Sequence, residues 1–131
     1  YGIALLLAGE RALMKAAGEI ARDFSLPALA ARILITVRFQ PGQTVNTLRD
    51  QLDATTPTFA RIIADLEKRG LIERRQSAQG DRRTRQLFLS LEGKRVTDPA
   101  TIAMRDRLRQ AYRAAGSGAV GGARTVLEAL S

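Results

Sequence analysis

From Thr44 to Gly93 the chain reads TVNTLRDQLDATTPTFARIIADLEKRGLIERRQSAQGDRRTRQLFLSLEG, and the changes of period inside this stretch decide the fold. Thr44 suits the N-cap of a short helix on which Val45, Leu48 and Leu52 share one side. Asp53-Ala54-Thr55 makes a turn. A second helix follows, with Thr56 expected as its N-cap and Pro57 at the first helical position, where a missing N–H is harmless. On it Phe59, Ile62, Ile63 and Leu66 stand at i, i+3, i+4 and i+7, a single apolar face, while Thr58, Arg61, Asp65 and Lys68 lie opposite. Gly70 falls just past its end, where a left-handed residue stops a helix. Beyond it the period drops to two. Leu71 to Arg75 and Arg85 to Ser90 read as strands, with Leu87 and Leu89 on one face, joined by the polar, glycine-containing run from Gln76 to Thr84. Helix, turn, helix and hairpin in this order predict a winged helix-turn-helix.

The flanks read as helices. Ile3, Leu6, Leu13, Ala17, Ile20 and Phe24 recur close to a heptad, interrupted by Glu10. Such a seam either packs on its own domain or pairs with a second subunit, and the segment alone leaves both open. Ser25 is expected to cap the next helix, with Pro27 in its first turn, and Pro41-Gly42 stops it after Phe39. Its residues Leu29, Ile33, Leu34 and Val37 face a core. Ser90 is expected to cap a helix through Lys94 to Val96, and Asp98-Pro99 can cap and start another, so one kinked helix and two helices both fit. Met104, Leu108, Ala111, Tyr112 and Ala115 form a further apolar stripe. Gly116 to Gly122 reads as a flexible connection. The last helix carries Val120, Ala123, Leu127 and Leu130 along one side and is too short to stand alone in water, so it must dock. The expected fold class is mainly α with a small β-hairpin wing: one domain over 1–131, a winged lobe at 26–96, and helical flanks at 1–24 and 99–131.

At 131 residues and 45% apolar content the chain can bury one modest core. It has 21 basic and 13 acidic residues, net +8, which favours a polyanionic partner, nucleic acid or anionic lipid. The charge is concentrated. Between Arg61 and Arg95 lie ten basic and five acidic side chains, so this window carries five of the eight net positive charges. Cysteine and histidine are both absent, which excludes disulfides, thiol chemistry, imidazole acid–base catalysis and the common zinc sites. There is no GxxxxGK phosphate loop and no convincing carboxylate pair, so an enzyme is not expected, nor is a cofactor or a metal. The apolar run Ile3 to Ala8 is too short to span a bilayer and no basic segment precedes it. No membrane association and a cytoplasmic location are therefore expected; Tyr1 is not expected to be the natural start.

An α-helix can read DNA because the major groove admits it and displays a distinct donor and acceptor pattern for each base pair. The helix after Pro57 opens with Thr55, Thr56 and Thr58 as short hydroxyl donors, and its free amide groups favour a phosphate. Arg61, one turn on, suits a bidentate contact to guanine or a phosphate contact equally well. Arg82, Arg83 and Arg85 put three arginines in four positions at the end of a ribbon, a shape that reaches a minor groove or its flanking phosphates. Asp81 is expected to pair with Arg83 or Arg74 and hold the loop in one shape, although a surface pair of that kind stabilises by only about 0–1 kcal/mol. The candidate DNA-facing set is thus Thr44, Thr55, Thr56, Thr58, Arg61, Arg82, Arg83 and Arg85, with Asp81 and Arg74 stabilising the wing.

The run Asp65-Leu66-Glu67-Lys68-Arg69-Gly70-Leu71-Ile72-Glu73-Arg74, then Asp81-Arg82-Arg83 and Leu89-Ser90-Leu91-Glu92-Gly93, resembles the signature of MarR-type transcriptional regulators: L-E-K-K-G-L-V-x-R, a D-x-R wing, and L-T-x-x-G. The likeness covers roughly Thr44 to Val96. It implies a homodimer whose N- and C-terminal helices interlock, and a pseudo-palindromic operator in double-stranded DNA. It implies too that Thr55, Thr56, Thr58 and Arg61 lie in the major groove and Arg83 in the minor groove. Small aromatic or anionic effectors are common in that family. Arg49 departs from it, standing where an alanine is usual, and the short, glycine-rich C-terminal part implies a smaller or partly mobile dimer interface. The leading expectation is a sequence-specific regulator, with repression the expected mode. The alternative is a winged-helix module that binds protein or RNA, since fold does not fix function.

Overall fold

The computed structural model describes residues 1–76 and 84–131. The elements are α1 (Gly2–Asp23), α2 (Ala28–Phe39), α3 (Val45–Gln51), α4 (Thr56–Lys68), β1 (Ile72–Gln76), β2 (Arg85–Leu89), α5 (Leu91–Ala115) and α6 (Ser117–Leu130). The winged helix-turn-helix read from the sequence is present, from α2 through the base of the wing.

Its core is built from the faces that the spacing marked. Ile33, Leu34 and Val37 of α2 meet Leu48 of α3, Phe59, Ile63 and Leu66 of α4, and Leu87 and Leu89 of β2, all buried. Val96 and Ala100 of α5 close it on one side, and Ala16, Ala17 and Ile20 of α1 extend it. The heptad seam of α1 therefore divides: its C-terminal half packs on its own chain, while Ile3, Leu5, Leu6 and Leu7 stay exposed.

Three helices end on one device. Leu26 N–H reaches Ala21 O at 2.8 Å past Ser25 (φ 52°), Ala54 N–H reaches Arg49 O at 3.4 Å past Asp53 (φ 50°), and Leu71 N–H reaches Leu66 O at 3.0 Å past Gly70 (φ 73°). In each a left-handed residue turns the chain so that the next N–H satisfies a carbonyl of the last turn. Ser25 thus terminates α1 and does not cap α2, whose N-cap is Pro27 without a side-chain bond. The expected cap of α4 also moves by one residue: Thr55 is the N-cap, its carbonyl accepting Phe59 N–H at 2.9 Å, and Pro57 sits second in the helix.

Thr44 and Ser90 cap as expected. Thr44 Oγ1 accepts Thr47 N–H at 3.2 Å, and Ser90 Oγ accepts Gly93 N–H at 3.0 Å. Thr44→Ala leaves an orphan donor in a seven-residue helix that has little else to start it. The expected loss is about 1 kcal/mol, seen as a lower urea midpoint at unchanged slope.

The wing strands pair antiparallel from Ile72↔Leu89 to Gln76↔Arg85. The chain before α3 adds a third edge: Gly42 N–H bonds to Leu87 O and Leu87 N–H to Gln43 O, both at 2.9 Å. Gly42 has φ 87°, and a Cβ there would stand 3.5 Å from the Phe88 ring, so the loop lies flat on the wing.

Of the two possibilities at Asp98-Pro99, one helix is observed: α5 continues through Pro99. The glycine-rich segment differs from expectation. It is helical from Ser117, and only Gly116 (φ 87°) breaks the chain direction. The helix forms although each glycine costs it about 1 kcal/mol relative to alanine, and none of its residues is buried. Among the described residues no helix is long and apolar enough to cross a membrane.

Candidate nucleic-acid interface

The core holds α4 by one face and so fixes which face is offered. Phe59, Ile62, Ile63 and Leu66 are buried; Thr55, Thr56 and Arg61 are exposed and Thr58 is half-buried. Thr55 and Thr56 form the start of the helix, where free backbone N–H groups and the positive end of the dipole face outward. Arg61 and Lys68 have no ion pair among the described residues, whereas Arg69 is tied to Asp65 at 3.0 Å. Among the described residues, the cations of α4 without an ion pair are thus the two that face away from its apolar stripe.

The base of the wing is braced against this helix. Arg74 donates from Nε to Glu67 Oε1 at 2.7 Å, joining β1 to the last turn of α4. Arg74 thus pairs with a residue of α4, while Asp81, its other expected partner, lies outside the described residues, as do Arg82 and Arg83. On the opposite face of β1, Arg75 lies over the Phe88 ring, 4.5 Å from its centroid, and pairs with Glu73 at 3.0 Å. Sequence reading did not single out Arg75. Its stacking depends on the hairpin register, which a long connecting run leaves open until the pairing Arg75↔Gln86 is seen. Arg85 begins β2, exposed and without an ion pair among the described residues.

Thr44 stands apart from this set. Its hydroxyl donates to Thr47 Oγ1 at 2.9 Å while accepting the Thr47 amide, so both capacities serve the cap of α3. Arg49 lies half-buried with Nη2 3.6 Å from Asp50, and α3 anchors through the fully buried Leu48.

The arrangement offers a helix start with hydroxyls and amides, an arginine one turn later that has no ion pair among the described residues, and the paired strands β1 and β2 alongside, carrying Arg75 and Arg85. Residues 24–84 match the model of the MarR family. The chain is also 39% identical over 99 residues to the HTH-type transcriptional regulator PetP of Rhodobacter capsulatus, across 76% of this chain and 59% of PetP.

Over residues 24–84 the chain carries a MarR-family segment.

Solved structures carry the same fold. NadR in complex with 4-hydroxyphenylacetate superposes with a TM-score of 0.77 at 22% identity, covering 98% of this chain and 89% of NadR. A mutant of S. aureus MepR bound to an oligodeoxyribonucleotide superposes at 0.60 with 20% identity, over 100% of this chain and 99% of MepR. The family match includes α2, α3, α4 and β1, the elements that position Arg61 and brace the wing. The MarR-type resemblance read from the sequence thus holds, and its D-x-R motif falls inside the matched span.

Proposed function

We propose that this chain is a sequence-specific DNA-binding transcriptional regulator of the MarR family. It acts as a homodimeric repressor on a pseudo-palindromic operator in the cytoplasm. The observation that carries the reading is the outer face of α4, with Thr55 and Thr56 at its start and Arg61 unpaired among the described residues, beside a wing clamped by Arg74 and Glu67. Such a helix enters the major groove with Thr55, Thr56, Thr58 and Arg61 forward, while Arg82, Arg83 and Arg85 follow the flanking minor groove.

The dimer is supported by what the single chain leaves uncovered. Not one residue of α6 is buried, although a helix of 14 residues is marginal unless it packs on something. Beside it, Leu5, Leu6, Leu13, Leu108 and Leu127 line an apolar groove of about 650 Å³ between α1, α5 and α6. The occupant that matches this surface is a second copy, because a two-fold interface sets the same apolar helices against each other. Release by a small aromatic or anionic effector is part of the reading, supported by the likeness to NadR, which holds 4-hydroxyphenylacetate.

Selection of bound duplexes from a random pool tests the proposal. The expected product is a pseudo-palindrome with half-sites about one helical turn apart. Recovery of no duplex sequence would sink it and favour the protein- or RNA-binding alternative. On the selected operator, Arg83→Ala and Arg61→Ala are each expected to lower affinity about tenfold. If Arg83 lies against phosphate in the groove, the log–log salt slope falls by about one for each half-site. A gel-shift titration in which Arg83→Ala binds like the parent would remove the wing from the mechanism.

A further inference from the structure

The helix α5 joins two parts of the molecule, and it is weakest where it joins them. Its first turns carry Gly93, Val96 and Thr97 into the winged core; the following turn buries Ala100 and Thr101 as well, and Met104 lies beside Leu13 and Ala16 of α1. Between them stands Pro99. Proline has no N–H, so the carbonyl of Arg95 loses its helical donor, and interior prolines are the commonest cause of helix bending.

Two consecutive residues at the end of α2 grip α5 on either side of that proline. Before it, Arg38 Nη1 donates to Lys94 O at 3.1 Å and to Thr97 Oγ1 at 3.4 Å, and Nη2 lies 2.9 Å from Asp98 Oδ1. Thr97 is itself held, buried, with its hydroxyl donating to Gly93 O at 2.9 Å. After it, the Arg105 guanidinium lies over the Phe39 ring, 6.0 Å from the centroid. The other end of α2 is anchored as well, since Arg32 pairs with Glu10 of α1. A planar guanidinium with three acceptors at fixed angles constrains direction as well as distance. The side chain of Arg38 is only 22% exposed, so water competes weakly for these donors.

We propose that Arg38, with Phe39 beside it, splints α5 across Pro99 and so fixes the angle between the DNA-reading lobe and the dimerising half of α5. In the dimer that angle sets the distance and phase of the two recognition helices, hence the half-site spacing that the protein accepts. Arg38 is a positioning residue with no DNA to touch. The inference rests on the dimeric, DNA-binding reading above, but the angle itself is measurable without DNA.

One base pair of added spacing turns a half-site by about 35° and moves it by about 3.4 Å, more than a rigid dimer follows. On duplexes whose half-site separation varies from −2 to +2 base pairs, the parent protein is expected to lose about tenfold or more in affinity per base pair of departure. Arg38→Met is expected to stay within about threefold across the series while binding an isolated half-site like the parent; Arg38→Lys, which keeps the Asp98 pair and loses the fork, falls between. The chain has no cysteine, so spin labels at Ala64→Cys on α4 and Ala114→Cys near the end of α5 report the lobe angle within one chain, diluted in unlabelled protein. Their distance distribution should be narrow in the parent and visibly broader with Arg38→Met. Equal widths overturn the splint whether or not DNA is bound. So does an Arg38→Met loss that is the same at every spacing and on the isolated half-site. A parent protein that selects no duplex refutes the DNA reading alone, and the label distances still decide the splint.

Discussion

Gly93→Ala is expected to lower the stability of the fold by about 3 kcal/mol or more, a large share of the roughly 5–15 kcal/mol of a whole domain. A Cβ at Gly93 would stand 2.1 Å from the carbonyl oxygen of Leu71, 3.1 Å from its carbonyl carbon and 3.3 Å from Leu89 Cβ. The obstacle is backbone, and it has no room to retreat. Leu71 O accepts Ser90 N–H at 3.1 Å, Leu71 N–H is bound to Leu66 O at 3.0 Å, and the Leu71 side chain is buried. The end of α4, the start of β1 and the first turn of α5 therefore cross at one point, which only a residue without a side chain can occupy. Gly70→Ala is the control. Gly70 has φ 73° but nothing within 4 Å of a Cβ, so the expected loss there is only the left-handed backbone cost, about 1–2 kcal/mol. Urea unfolding of both variants separates the two causes, and a Gly93→Ala loss under about 1 kcal/mol would contradict the close crossing.

That crossing also marks what the sequence could and could not convey. Gly93 was visible as the last member of a motif, but its reason, a carbonyl from a residue 22 positions earlier, exists only in three dimensions. The order of α2, α3, α4 and the strands was legible because each changes period at a glycine or proline and because Phe59, Ile62, Ile63 and Leu66 declare one face. Ser25 misled because a serine before a helix ordinarily caps it, whereas here it takes the left-handed turn that ends α1, with Leu26 buried just beyond. The glycines after Gly116 misled by composition, since the segment from Ser117 is helical despite them. At the candidate interface, the outward position of Arg61 followed from the amphipathic face alone, and that of Thr55 and Thr56 from the start of the helix. The partner of Arg74 could not be, because Glu67 and Arg74 meet only once α4 and β1 fold back on each other. Arg38 went unnoticed for the same reason, its acceptors lying 56 to 60 residues further along.

The double variant Leu108→Glu, Leu127→Glu is expected to abolish the proposed dimer and to cost affinity for the selected operator about a hundredfold or more. Both side chains line the apolar groove, and both are substantially exposed in the single chain, Leu108 at 40% and Leu127 at 50%. In a monomer the two carboxylates would therefore sit in water at little cost to folding. In a two-fold dimer each is counted twice, so four charges would be carried into a surface with few groups to pair them. Burying an unpaired charge costs several kcal/mol, and every 1.4 kcal/mol is a factor of ten in the association constant. Loss of the dimer then removes the effective concentration that lets the second half-site bind once the first is held, a gain of about 10²–10⁴ in avidity. Sedimentation at micromolar concentration should show a monomer with an unchanged helical spectrum, and affinity for an isolated half-site should match that of the parent. A variant that remains a dimer would place the interface elsewhere and leave α6, none of whose residues is buried, without a partner. A variant that is monomeric yet binds the full operator as tightly as the parent would remove the two-fold spacing from recognition, and a rigid α5 would then have no spacing to enforce.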